Sequence, residues 1–325
     1  MSGMNFAYNN RDSSGLIGKK PMAAVISTHN DVFMSVKQVA EYLHLNEKKI
    51  YALVNDGGIP ATKVTGKWMF PRELVDRWML DSTHGGLLTD RLVISGGEDP
   101  LLHHLTQEFA RDTGAHALIS YNPTGTRLGL DLLQSNRIDA CGVHWGPDTE
   151  SHLRHPALLS QYSQHHHWVL IRAFRREQGL MVSREIADKT STIDALFDSH
   201  YRWATRQNGS GSQRFLLELL SHYNVSKDDL NNQVNALSER EAAAAIAMKQ
   251  SDVAPGARAT AKEYGLAFIS FGWESFDIAL PRNIWFRRLF QDLVTRLKSQ
   301  PCQAMAERLT GYNLEGAGDL VWGDD

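Results

Sequence analysis

The sequence predicts two folded parts, a small winged helix-turn-helix and then a larger α/β domain. Three observations predict this. Residues 33–80 carry two short helices with apolar stripes, a basic hairpin and a third helix. From Arg91 onward, strands alternate with helices, the pattern of an α/β fold with mostly parallel strands. A polar stretch around His84, Gly85 and Gly86 separates the two. The expected division is a flexible tail at 1–30, the helix-turn-helix at 31–82, a linker at 83–90 and the α/β domain at 91–325.

Composition narrows the function classes. With 42% apolar and 22% charged residues, disorder, collagen-like sequence and a coiled-coil rod are excluded for most of the chain. The net charge of −3 excludes a polybasic protein, so any nucleic-acid contact has to come from a local patch. Cys141 and Cys302 are far apart in sequence, which argues against a disulfide scaffold or a cysteine zinc module and fits a reducing compartment. The apolar run at 22–27 is too short for a signal peptide or a membrane span. A cytoplasmic location and no membrane partner are expected.

In the first part, Ser35 stands at an N-cap position with Gln38 three residues on, the spacing of a capping box. Val36, Val39, Ala40 and Leu43 follow at helical spacing. Asn46 can cap a second helix striped by Ile50, Leu53 and Val54, which Gly57 and Gly58 stop. A hairpin at 59–70 turns at Thr65 and Gly66, and Pro71 opens the last helix. A helix of this size fits the major groove and a hairpin can lie on the adjacent backbone. Between Asn46 and Arg72 five basic residues face two acidic ones, a local charge of +3 in a chain of −3. Lys48, Lys49 and Tyr51 project away from the apolar stripe and are candidates for base or phosphate contact. Lys63, Lys67 and Arg72 suit phosphates. The bland alternative is a packing module with solvated lysines. The strings SVKQVAEYL and KKIYALVNDGGIPATKVTGKWMFPRELVDRW resemble the excisionase/MerR-like DNA-binding domain over residues 34–80. The resemblance implies a recognition helix at 46–55, a wing at 61–70 and double-stranded DNA as partner.

In the second part, strands are expected at 92–95, 117–120, 138–143, 169–172, 180–182, 201–205 and 266–271. Helices are expected at 101–111, 129–135, 213–223 and 239–248, with a closing helix at 286–297. Three turns between a strand and a helix stand out. The first carries Ser95, Gly96 and Gly97, the second Thr124, Gly125, Thr126 and Arg127, and the third Arg206, Gly209, Ser210, Gly211 and Ser212. Glycine lets backbone approach a ligand, helix starts offer N–H groups and partial positive charge, and hydroxyls and arginines add donors. Turns converging from two lobes would cage an oxyanion, although a single such turn also joins strand to helix in any α/β protein.

Residues 92–102, 125–130, 139–144 and 206–212 resemble the periplasmic-binding-protein-like domain of the molybdate-binding type, over about 90–282. The resemblance implies a two-lobed type II fold that closes on a hinge, with crossing segments near 167–176 and 268–281 and lobe 2 at about 175–268. It points to a small anionic ligand such as molybdate or tungstate; no other cofactor is expected. The chain departs from the family pattern at Thr205, at Gln213, which precedes Arg214, and at Ser238-Glu239-Arg240-Glu241 in place of a Thr-His pair. These departures leave the ligand open, with Arg127 as a compensating charge.

Nine of the fourteen histidines lie between His103 and His167. Three in a row, His165 to His167, point to alternate faces if they lie on a strand, which argues against one metal site. Glu98 and Asp99 fit a capping role before Pro100 better than a catalytic one. No nucleophile-elbow, P-loop or metalloprotease motif is present, so an enzyme is not expected. The expected function is a one-component transcriptional regulator responding to an oxyanion or a related anionic metabolite. The alternatives are an excisionase-like architectural factor without ligand, and an anion carrier or molybdenum-cofactor protein. Two-fold operators favour a homodimer, with the 286–297 helix as candidate contact, although its stripe serves equally as domain core.

Overall fold

The computed structural model describes residues 32–56, 58–81, 91–190, 192–198 and 200–323. The tail expected at 1–30, the linker at 83–90 and Gly57 lie outside them. The chain divides into two compact units, at Met1–Met79 and Leu80–Asp325.

The first unit runs β1 (Phe33–Ser35), α1 (Val36–Tyr42), α2 (Glu47–Asn55), β2 (Thr62–Val64), β3 (Lys67–Pro71) and α3 (Arg72–Asp81). Ser35 and Gln38 form the reciprocal capping box of α1, and Asn46 caps α2 by accepting from the Lys49 N–H. Thr65 and Gly66 both have positive φ, 49° and 82°, as a tight hairpin turn needs. The strands order β1-β3-β2. Val39, Ile50, Phe70 and Val75 are buried in one core. Pro71 ends β3 rather than opening α3, because it pairs with Phe33 across β1.

The second unit contains β4 (Arg91–Gly96), α4 (Pro100–Thr113), β5 (Leu118–Pro123), α5 (Thr126–Gln134), β6 (Ala140–His144), α6 (Ser151–Leu159), β7 (Trp168–Val182), α7 (Arg184–Ala187) and β8 (Arg202–Arg206). It continues with α8 (Gly211–His222), β9 (Asn231–Ala236), α9 (Glu239–Ala247), β10 (Val253–Ala257), α10 (Arg258–Glu263) and β11 (Ala267–Pro281). It ends with α11 (Arg282–Trp285), α12 (Arg288–Leu297), α13 (Gln300–Leu309), β12 (Tyr312–Asn313) and β13 (Leu320–Trp322).

One sheet runs β5-β4-β6-β11-β7-β10-β8-β9. The flanking ladders β4/β5, β4/β6, β8/β9 and β8/β10 are parallel, whereas β6/β11, β7/β11 and β7/β10 are antiparallel. The central antiparallel ribbon corrects the expectation of a mostly parallel sheet. Its strands β7 and β11 are 15 residues each, long enough to serve both lobes. β11 pairs with β6 on one side and β7 pairs with β10 on the other, so the ribbon is the pair of crossing segments. The two lobes keep separate cores. Leu102, Phe109, Phe174 and Phe290 belong to one lobe, and Leu180, Trp203, Leu216 and Leu219 to the other.

The expected strands at 169–172 and 180–182 are one strand. Arg172, Arg176 and Gln178 interrupt its apolar signal, yet all three are buried. β10 was not expected, and its Pro255 and Gly256 are residues that disfavour a strand interior. Its paired residues from Ala254 on meet β7 only, and the parallel pairing to β8 is at Val253. His165–His167 form a short 3₁₀ turn rather than a strand, so the alternate-face reasoning does not apply to them. The stripe Leu289, Phe290, Leu293, Val294 and Leu297 is buried in the unit's own core, while Phe286 is exposed.

Candidate functional site

In the first unit, α2 turns Ile50 into the core and leaves Lys48, Lys49 and Tyr51 exposed. The wing leaves Lys67 exposed and sets the Lys63 ammonium 5.5 Å from the Trp68 ring centre. Arg72 differs from the other candidates. Its guanidinium stacks 5.0 Å over Tyr42, whose hydroxyl donates to Asp76 at 2.6 Å, so it also helps dock α3 on α1.

In the second unit, the three glycine turns interlock across the lobes. Thr124 and Gly125 donate their N–H groups to Gly96 O at 3.1 and 2.8 Å, which joins the first two turns. Arg127 N–H donates to Gly209 O at 3.2 Å, and Gln207 Nε2 donates to Thr124 O at 3.0 Å, which joins the second to the third. Glycine is required for this approach. A Cβ on Gly96 (φ 102°) would stand 2.5 Å from Gly142 O, and one on Gly211 2.2 Å from the His144 ring.

Most of the expected donors serve the protein itself. Ser95 Oγ lies 2.7 Å from Asn122 O and 2.8 Å from Thr124 Oγ1. Gly97 N–H donates to Gly142 O at 2.7 Å. Ser210 caps α8 by accepting from Gln213 N–H at 3.2 Å and donates to Gln207 O at 3.0 Å. Ser212 Oγ donates to Glu239. Arg127 is exposed and packs its stem on Gly209. Three buried polar atoms on these segments have no hydrogen-bond partner, namely Thr126 Oγ1, Arg206 Nε and Gln213 Nε2. Buried polar atoms in folded proteins ordinarily have a hydrogen-bond partner, so these three have bonding capacity left to use.

Residues outside the expected set dominate the charge. Arg176, at the middle of β7, is fully buried. Its Nε donates to Glu274 at 2.8 Å, its Nη1 to Glu98 O at 2.7 Å and Asp99 at 3.1 Å, and its Nη2 to Glu239 at 3.2 Å. The guanidinium thus joins the first turn, the crossing ribbon and the start of α9. Its flat face lies over Phe276 at 5.2 Å, and His144 stacks on the same ring. Glu98 spans the lobes as well. Its carboxylate accepts from Glu239 N–H at the start of α9 and lies 3.8 Å from Arg206. Asp99 caps α4, as the sequence suggests, whereas the Glu98 carboxylate serves α9.

Electrostatics splits these carboxyls into two classes. Burial, together with the nearby Glu239 charge, pushes Glu98 up to about 7, although Arg206 draws it down. Burial raises Asp99 more than Arg176 lowers it. Burial also works against Glu239 and Glu274, but Arg176 and His144 outweigh it and hold both below the usual range, Glu274 at about 2. The buried contact between the lobes therefore holds fixed anions of its own beside Arg176 and Arg206. Of these residues, Glu239 had a signal in the sequence, since it stands where the resembled family carries a Thr-His pair. Arg176 and Glu274 had none, because Arg176 sits in the charged run Arg175-Arg176-Glu177 between two expected strands and Glu274 lies past the strand expected at 266–271, so both read as solvent-facing loop.

Comparison with known proteins follows the same division. A family model described as a PBP superfamily domain matches residues 106–298, and one described as a helix-turn-helix domain matches residues 33–82. No curated protein matches the chain. Among solved structures, a Corynebacterium glutamicum OxyR mutant with bound H2O2 is 12% identical and has a TM-score of 0.51, covering 85% of this chain and 89% of that one. The effector-binding domain of QuiR in complex with shikimate is 11% identical with a TM-score of 0.46, covering 66% of this chain and 96% of that one. An ABC-type phosphate transport receptor from Vibrio cholerae is 12% identical with a TM-score of 0.43, covering 68% of this chain and 98% of that one.

Proposed function

Because this chain belongs to the PBP superfamily and carries a helix-turn-helix domain at residues 33–82, we propose that it is a DNA-binding regulator controlled by a small ligand held between the two lobes. The ligand is an oxyanion of the molybdate or tungstate kind, or a metabolite bearing a similar acidic group, and the protein binds it without catalysis. The observation that carries the reading is the interlock of glycine turns from opposite lobes, whose segments carry three buried, unpartnered polar atoms, Thr126 Oγ1, Arg206 Nε and Gln213 Nε2. Two of the three are N–H donors and the third is a hydroxyl, so each can donate to a ligand oxygen. A ligand that touches both lobes favours the closed arrangement by the difference between its affinities for closed and open forms.

Titration calorimetry with molybdate, tungstate, sulfate and phosphate tests the ligand. At least one is expected to give heat, and Arg206→Ala to weaken that binding about tenfold or more without changing DNA binding. Silence with all four anions favours a second reading, an architectural DNA-binding protein without ligand. The observation on its side is that Arg176 and Glu98 already bridge the lobes.

The DNA partner has its own test. Alanine at Lys48, Lys49 and Lys67 together is expected to weaken binding to a random-sequence duplex about 10- to 100-fold at low salt. The slope of log affinity against log salt should fall by about two to three, one for each phosphate no longer neutralised. Unchanged affinity and slope would remove α2 and the wing as the DNA face.

A further inference from the structure

We propose that Glu98 is an internal counter-anion of the cleft, seated by one lobe on the start of α9 in the other and exchanged for the ligand's acidic group with uptake of one proton. The inference rests on the ligand-binding reading above and adds how the site admits an anion at all.

The geometry is that of an anion already in place. The Glu98 carboxylate accepts from the Glu239 N–H in the first turn of α9, a nine-residue helix, as a bound oxyanion would. Arg206 stands 3.8 Å from the same carboxylate oxygen, is nearly fully buried, and keeps its Nε without a partner. The arginine is thus oriented toward this position but only partly used by Glu98. Arg206 also donates to Ala236 O at 2.8 Å, which fixes its guanidinium beside the α9 start.

The charges around Glu98 make ionisation costly once a second anion arrives. Glu239 and Arg240 face it from α9, Arg206 from β8 and Tyr121 from β5, while Arg176 from β7 holds its carbonyl. Arg176 is committed to Asp99, Glu239 and Glu274, so Arg206 is the nearest charge left to share. An oxyanion beside Arg206 would then face the Glu98 and Glu239 carboxylates together. Protonation relieves this. The Glu98 carboxylate takes one proton from solvent, becomes a neutral acid, and can donate its new O–H to a ligand oxygen. Burial together with Glu239 already holds Glu98 at about 7, so the step lies within reach near neutral pH.

The sign follows directly. Binding that takes up a proton tightens as pH falls. Above neutrality, affinity should drop about tenfold per pH unit. Calorimetry on the full chain with molybdate and with sulfate, in two buffers of different ionisation heat at about pH 7.5, counts the protons taken up per anion bound. The expected count approaches one for wild type. Glu98→Gln is expected to bind these anions about tenfold or more tightly at about pH 8, with no proton uptake and no pH dependence. A wild-type count near zero, or a pH slope unchanged in Glu98→Gln, would overturn the proposal while leaving the ligand site standing. Failure of both proteins to bind either anion at any pH would instead remove the ligand-binding reading, and this inference with it. The wild-type proton count does not depend on how well the variant folds.

Discussion

Arg176→Ala is expected to lower the unfolding temperature of the second unit by about 10 °C at neutral pH. Removing one member of a buried ion cluster typically costs about 3–5 kcal/mol, because the partners stay buried without compensation. In a unit of this size each kcal/mol shifts the midpoint by about 2–4 °C. Asp99, Glu239 and Glu274 all lose their shared counter-charge, and the Glu98 carbonyl loses its donor. Arg176→Lys should recover only part of the loss. One ammonium cannot reach four acceptors arranged around a planar fork. The pH dependence provides a further check. Glu274 is held at about 2 when folded, so its contribution is present above the ordinary carboxylate range near 4.5 and is lost as pH falls toward 2. The deficit of Arg176→Ala should therefore shrink on acidification. Thermal unfolding of wild type and variant at about pH 7 and about pH 4 decides the matter. A shift under about 2 °C at neutral pH would show that the ion cluster is not what holds this part of the cleft.

What the sequence disclosed, and what it hid, follows from where each signal resides. Caps and apolar spacing are local. Ser35, Gln38 and Asn46 therefore marked the starts of α1 and α2 correctly, and Thr65-Gly66 marked the hairpin turn. The glycine turns were legible for the same reason, and the structure brings all three together. Their chemistry was less legible. Ser95, Ser210 and Ser212 read as ligand donors, but each is used within the fold, a pairing set by tertiary contacts that no local spacing reveals. The ribbon of β7 and β11 was legible only at its apolar ends. Its middle crosses between the lobes, where Arg176 and Glu274 meet groups from both, so a polar interruption that reads as a loop is a buried strand. β9 was hidden by its composition, since Asn231, Asn232, Gln233 and Asn235 show no apolar alternation.

Gly129→Ala provides the second large effect, and it tests whether the turns need their close approach. The glycine lies in the first turns of α5, where that helix crosses β4 and β6. A Cβ there would stand 2.5 Å from Gly96 Cα, 2.9 Å from Gly96 N and 2.7 Å from Cys141 Sγ. Two of these are backbone atoms, and Gly96 itself is held at φ 102° with Gly142 behind it, so no flexible side chain can yield. The helix has to withdraw. Withdrawal breaks the bonds from Thr124 and Gly125 to Gly96 O and pulls Arg127 N–H from Gly209 O, which separates the second turn from both of its partners. Overpacking of this kind costs about 2–4 kcal/mol. Anion binding should be lost together with stability, because Thr126 moves with the helix. Gly272→Ala serves as the matched control, since a Cβ there meets nothing within 4 Å, and it should change stability by no more than about 0.5 kcal/mol. Urea unfolding and calorimetry on both variants separate the cases. If Gly129→Ala behaved like Gly272→Ala, α5 would be free to move away from β4, and the close glycine packing would not be what joins the second turn to the first and third.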